Sequence, residues 1–70
     1  MIGKGTVVEW NWGNGTARGK VVESYASKVT KTIKNTSVTR NGEKGNRALY
    51  IKQEDGDYVL KSESEVQRVD

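Results

Sequence analysis

Short runs of alternating apolar and polar residues, each ended by a glycine- or asparagine-centred turn signal, constrain this chain more than any other feature. From Thr6 to Trp12, Val8, Trp10 and Trp12 fall on one face and Val7, Glu9 and Asn11 on the other. A period of two belongs to a half-buried strand. Gly13-Asn14-Gly15 then interrupts the run, as expected where positive φ is wanted. Thr16 to Tyr25 alternates again, with Ala17, Gly19 and Val21 on one side and Arg18, Lys20 and Val22 on the other. The small residues at 17 and 19 leave room for a neighbouring strand or the Trp10 ring.

Three more strands follow. Lys28 to Lys34 holds Val29, Thr30, Thr32 and Ile33 with lysines between them, the mark of a strand with one solvated face. Asn41-Gly42 and Gly45-Asn46 bracket a loop, and Ala48 to Gln53 is the fourth strand. Asp55-Gly56 then reads as a two-residue type I′ hairpin turn. That turn predicts Ile51 opposite Leu60 and Lys52 opposite Val59, with Leu49, Ile51, Tyr58 and Leu60 sharing the core face. Ser62 and Glu65 have capping-box spacing, so one short helical turn is expected, docked by Val66 and Val69. The expected core is Val8, Trp10, Ala17, Gly19, Val21, Ile33, Leu49, Ile51 and Leu60. The expected turn residues are Gly13, Gly15, Asn41, Gly42, Asp55 and Gly56. Five short strands in 70 residues, with no helix beyond a turn, predict an all-β barrel forming one domain over 1–70.

Composition excludes whole classes of chemistry. There is no Cys and no His, which removes disulfides, ordinary zinc sites, a His general base and a Ser-His-Asp triad. No metal or cofactor is expected. Asp55 and Asp57 sit near a hairpin tip, where a short turn supplies too few oxygens for Ca²⁺ and no pocket for acid–base work. Gly13-x-Gly15 lacks the following Lys-Ser/Thr of a phosphate loop. The chain is therefore expected not to be an enzyme; an active site would have to be assembled between copies. No apolar run has bilayer length, so a soluble cytoplasmic protein without membrane contact is the expectation. A net charge of +3 arises from 12 basic and 9 acidic residues, so most charge should be interspersed.

The order of motifs carries a resemblance. Gly5-x-x-Val8-x-Trp10-x-Trp12-Gly13-x-Gly15-x-Ala17-x-Gly19-x-Val21 resembles the opening hairpin of Tudor and KOW-type barrels. Val38-Thr39-Arg40-Asn41-Gly42, Gln53-Glu54-Asp55-Gly56-Asp57 and Val59-Leu60-Lys61-Ser62-Glu63-Ser64-Glu65 narrow it to the hypervirulence-associated protein Tudor domain family. The resemblance spans nearly the whole chain and implies a small five-stranded SH3-like barrel. One departure stands out. The family usually reads Asn-Pro-Ala-Tyr after the Arg-Asn-Gly motif, whereas this chain has Asn46-Arg47-Ala48-Leu49, its aromatic displaced to Tyr50. Adjacent strand residues face opposite ways, so Tyr50 presents its ring to the other side.

These readings leave a binding module contacting a protein partner through its barrel rim, with Trp12, Arg18, Lys20, Arg40 and Tyr50 as candidate contacts. Trp10 belongs to the core and Trp12 to the rim. Whether Trp12, Tyr25, Tyr50 and Tyr58 converge as an aromatic cage is left open by the sequence. Arg18, Lys20, Lys28, Lys31 and Lys34 could line up along a nucleic-acid backbone, but Glu9 and Glu23 would interrupt that stripe. Arg40 is expected to pair with Glu65 or Glu63. The alternatives are a nucleic-acid-binding protein, or a structural subunit associating through Val7, Val22 and Val59; the oligomeric state is open.

Overall fold

The computed structural model describes residues 2–69. Along the described chain run β1 (Val7–Trp12), β2 (Gly15–Tyr25), β3 (Val29–Ile33), β4 (Thr36–Arg40), β5 (Ala48–Gln53) and β6 (Tyr58–Ser62). A single 3-10 turn (Glu63–Glu65) and the two-residue β7 (Gln67–Arg68) complete it. Five strands form one antiparallel sheet in the order β6-β5-β2-β1-β7, and β3–β4 is a separate hairpin. β4 and β7 are additions to the five strands read from alternation. Thr36-Ser37-Val38-Thr39-Arg40 has only Val38 as a large apolar residue, too little for an alternation signal.

The three hairpin turns differ, and the differences set the faces. Trp12 pairs with Gly15, leaving Gly13 (φ 56°) and Asn14 as a type II′ loop; Gly15 itself is a ladder residue. The type I′ turn lies at Lys34 and Asn35, both left-handed at φ 50° and 64°, where Ile33 pairs with Thr36. At the expected site, Gly56 donates its N–H to the Gln53 carbonyl at 3.0 Å, and Gln53 N–H reaches Asp57 O at 2.7 Å. Gly56 alone is left-handed there (φ 94°). The loop is thus a type I turn closed by a left-handed glycine, one residue longer than a type I′ connection. Ile51 consequently opposes Val59, and Tyr50 opposes Leu60. A one-residue slip exchanges faces, so Leu60 leaves the Leu49/Ile51 face that a type I′ turn predicts for it.

Two apolar layers result. The main cluster is Val8, Trp10, Val21, Leu49 and Ile51, flanked by Ile2, Ala17, Val59 and Val66. Full burial of each large side chain contributes about 1.5–3 kcal/mol before entropy is counted. Leu60 and Ala48 are also buried but lie outside that cluster, on the other side of β5–β6, where the β3–β4 hairpin packs against β6. Ile33, expected in the core, is half-buried instead.

β2 serves both layers because its register shifts between Val21 and Glu23. Val21 opposes Ile51, whereas Glu23 opposes Tyr50 and Tyr25 opposes Ala48. The extra residue, Val22, moves Tyr25 off the Val21 face and onto the Ala48/Tyr50 face. Close approach requires glycine at two places. A Cβ on Gly19 would lie 2.6 Å from Ile51 Cγ2 and from the Lys52 carbonyl oxygen. On Gly42 it would strike the Tyr25 carbonyl and stand 2.8 Å from that of Ser27. Asn41-Gly42 is therefore no turn; the turn follows at Glu43–Asn46, with Gly45 at φ 90°.

The C-terminal segment follows the capping-box reading at its start. Ser62 N–H donates to Glu65 Oε1 at 2.9 Å, and Val66 packs on the core. Val69 departs from expectation. It stays 37% exposed, while its N–H donates to the Val7 carbonyl and prolongs the β7 pairing along β1. No described helix is long and apolar enough to cross a membrane.

Candidate functional site

The tips of three hairpins meet around Trp12. Its strand-end position and the tight Gly13-Asn14 loop push the indole outward, leaving it 73% exposed, while Trp10 two residues earlier is 4% exposed. Below Trp12 lies a groove of about 510 Å³ whose lining includes Trp10, Ile33, Asp57, Tyr58 and Val59. Lys34 bridges its mouth, with Nζ 2.9 Å from Asp57 Oδ2. That hydrogen bond and the adjacent charge raise the Lys34 pKa above its ordinary value. Asp55 is occupied locally, accepting the Asp57 N–H at 2.9 Å.

A second cluster lies behind the groove. Tyr50 and Tyr58 stack with centroids 4.9 Å apart and planes 15° from parallel. Lys31 places its ammonium 5.1 Å from the Tyr25 ring centroid and 4.9 Å from that of Tyr50. A hydrogen bond to Tyr25 is the main cause holding the Lys31 pKa above its ordinary value. Tyr25, Tyr50 and Tyr58 therefore converge, and the cation among them is the chain's own lysine. Lysines cover other rings too: Lys52 lies 6.0 Å from Tyr58 and Lys61 lies 5.9 Å from Trp10. Among the described residues, Trp12 is the aromatic side chain without such a ring contact.

The other candidate contacts are spread over separate surfaces. Arg18 and Lys20 line a different trough on the outer face of β2. Arg40 grips Glu65 through its two terminal guanidinium nitrogens, at 3.0 and 3.4 Å. Three further cations are paired: Lys4 with Glu23, Arg18 with Glu9 and Lys34 with Asp57. The basic stripe is thus interrupted, and Lys31 has left it for the tyrosines. β3 places Val29, Lys31 and Ile33 on one half-buried face and Thr30 and Thr32 in solvent. The same period of two, applied strictly, puts Lys31 beside Ile33 and is the signal the lysine pattern masked.

A family model described as hypervirulence associated proteins TUDOR domain matches residues 5–66. The chain belongs to this family. TUDOR-family domains are typically non-catalytic modules, and the family implies a barrel-like arrangement of the strands. The matched span contains β1 to β6 and the 3-10 turn, so both the Trp12 groove and the tyrosine cluster fall within the TUDOR unit. No curated protein and no solved structure matches the chain. At the position where the family's aromatic is expected, Leu49 is fully buried in the main core, and Tyr50 turns its ring to the opposite side.

Proposed function

We propose that this domain is a binding module that seats a segment of a partner protein in the groove under Trp12. The observation that supports this most is Trp12 itself, a 73% exposed indole without an internal ring contact among the described residues. Exposed tryptophan flanking an apolar groove is the residue type that most often dominates protein interfaces. Its exposure leaves the fold nearly independent of it, so function and stability can be separated. A nucleic-acid partner is less favoured, because four of the cations are already held by carboxylates. Assembly through Val7, Val22 and Val59 is weakened by Val59, which packs against the core.

The test is affinity capture from native lysate, with and without nuclease, using the parent domain and Trp12→Ala side by side. Partners retained by the parent and lost by Trp12→Ala, at unchanged melting temperature, support the reading. Equal capture by both proteins, or partners that vanish with nuclease, overturns it.

A further inference from the structure

Register sets a row of side chains across the outer face of the five-stranded sheet. Val7 opposes Lys20, Lys20 opposes Lys52, and Lys52 opposes Tyr58. Strands lie about 4.8 Å apart, so the two lysines rise from neighbouring points on one face. Like charges placed directly opposite each other repel. The adjacent row relieves its own charge, because Glu9 takes Arg18 at 3.4 Å and the Gln67 amide at 3.3 Å. The Lys20 side chain has no hydrogen bond or ion pair among the described residues, and the Lys52 ammonium meets only the Tyr58 ring. The trough around them, about 360 Å³, has Val7 and Val22 as apolar lining, Arg18 beside the lysines and Glu54 as its carboxylate.

We propose that this face binds an extended acidic segment of a partner protein. One carboxylate sits between the Lys20 and Lys52 ammonium groups, and an apolar side chain two residues along the segment, on the same face, rests on Val7 and Val22. The charge is complementary locally and matches the net +3 of the chain. A nucleic-acid backbone fits less well. Such a strand engages successive phosphates, whereas the flanking positions here offer a neutralised Arg18 on one side and Val22 on the other. Trp12 does not line this trough, so the site is independent of the groove.

The experiment is an amide-resolved NMR titration with an octapeptide repeating Asp-Ser-Leu-Ser (the Asp-Leu peptide), its counterpart with Lys in place of Asp, and an oligothymidylate. The Asp-Leu peptide is expected to shift the amides of Val7, Lys20 and Lys52, with affinity that weakens as salt rises. Lys20→Gln and Lys52→Gln are each expected to weaken binding about tenfold, the usual worth of one charge-assisted contact. Trp12→Ala should leave it unchanged. Lys20→Glu should raise the melting temperature by pairing with Lys52 while abolishing binding, which separates loss of the site from loss of the fold. Shifts confined to other faces, indifference to Lys20→Gln and Lys52→Gln, or tighter binding of oligothymidylate through the same lysines would overturn the proposal.

Discussion

Glycine at 42 and glycine at 45 illustrate two different demands on a residue without a side chain. Gly45 is left-handed, with nothing within 4 Å of where a Cβ would stand, so Ala there meets only backbone strain. A non-glycine residue in that region costs about 1–2 kcal/mol. Gly42 has ordinary φ, but its missing Cβ position is filled by backbone oxygens that cannot rotate away. Gly42→Ala is therefore expected to cost about 3 kcal/mol, the upper range for overpacking, and Gly45→Ala clearly less. Urea denaturation of the two variants checks the order, and equal losses would show that the Gly42 contact relaxes. In the sequence both residues carry the same turn signal. The difference is invisible there because what crowds Gly42 comes from Tyr25 and Ser27, distant in the chain.

Among the elements, the β3–β4 hairpin is attached in an unusual way. Among the described residues it has no ladder to the five-stranded sheet, and side chains fasten it: Lys31 on Tyr25 and Tyr50, Lys34 on Asp57, Arg40 on Glu65. The first two fastenings are protonation-dependent. Folding raises the pKa of Lys31 and Lys34, so their contribution is complete below the unfolded lysine value of about 10.4. It is lost as pH climbs through the higher folded value. Lys31→Met should therefore lower the melting temperature at neutral pH, with the gap to the parent closing as pH rises past the unfolded lysine value. A gap that stays constant as that lysine deprotonates would mean Lys31 acts through its hydrocarbon stem. Strand identity is legible for β1, β2, β3, β5 and β6, since each alternates over enough residues to bury one face. Pairing is not. The Asp-Gly dipeptide suits two loops differing by one residue, and only the Gln53–Asp57 and Gly56–Gln53 hydrogen bonds distinguish them. Trp12 at the rim is readable from its place at a strand end, whereas the tyrosine cluster depends on a bulge that alternation cannot reveal.

Over the whole molecule, the five-stranded sheet ends at β7 on one side, and β7 is two residues long. Its pairing with Val8 and Glu9, continued by Val69, shields that stretch of β1. Open strand edges recruit other chains. Removing residues 67–70 should leave the core intact while exposing the edge beside half-exposed Val7 and Trp12. Sedimentation at rising concentration is expected to show self-association of the shortened chain and none of the parent; a strictly monomeric shortened chain would contradict this protective role.

The bulge at Val22 gives β2 something like a reading frame. Upstream, odd-numbered positions address the main cluster; downstream they address the tyrosines, because one inserted letter has shifted the phase. A substitution at Val22 preserves that phase, whatever residue is chosen. Loss of the letter would leave a regular ladder in which Glu23, Ser24 and Tyr25 still oppose Tyr50, Leu49 and Ala48, so the bend would go and the layers would stay. The partners on β5 thus fix which layer each side chain serves, and Val22 absorbs the difference in length between the two strands.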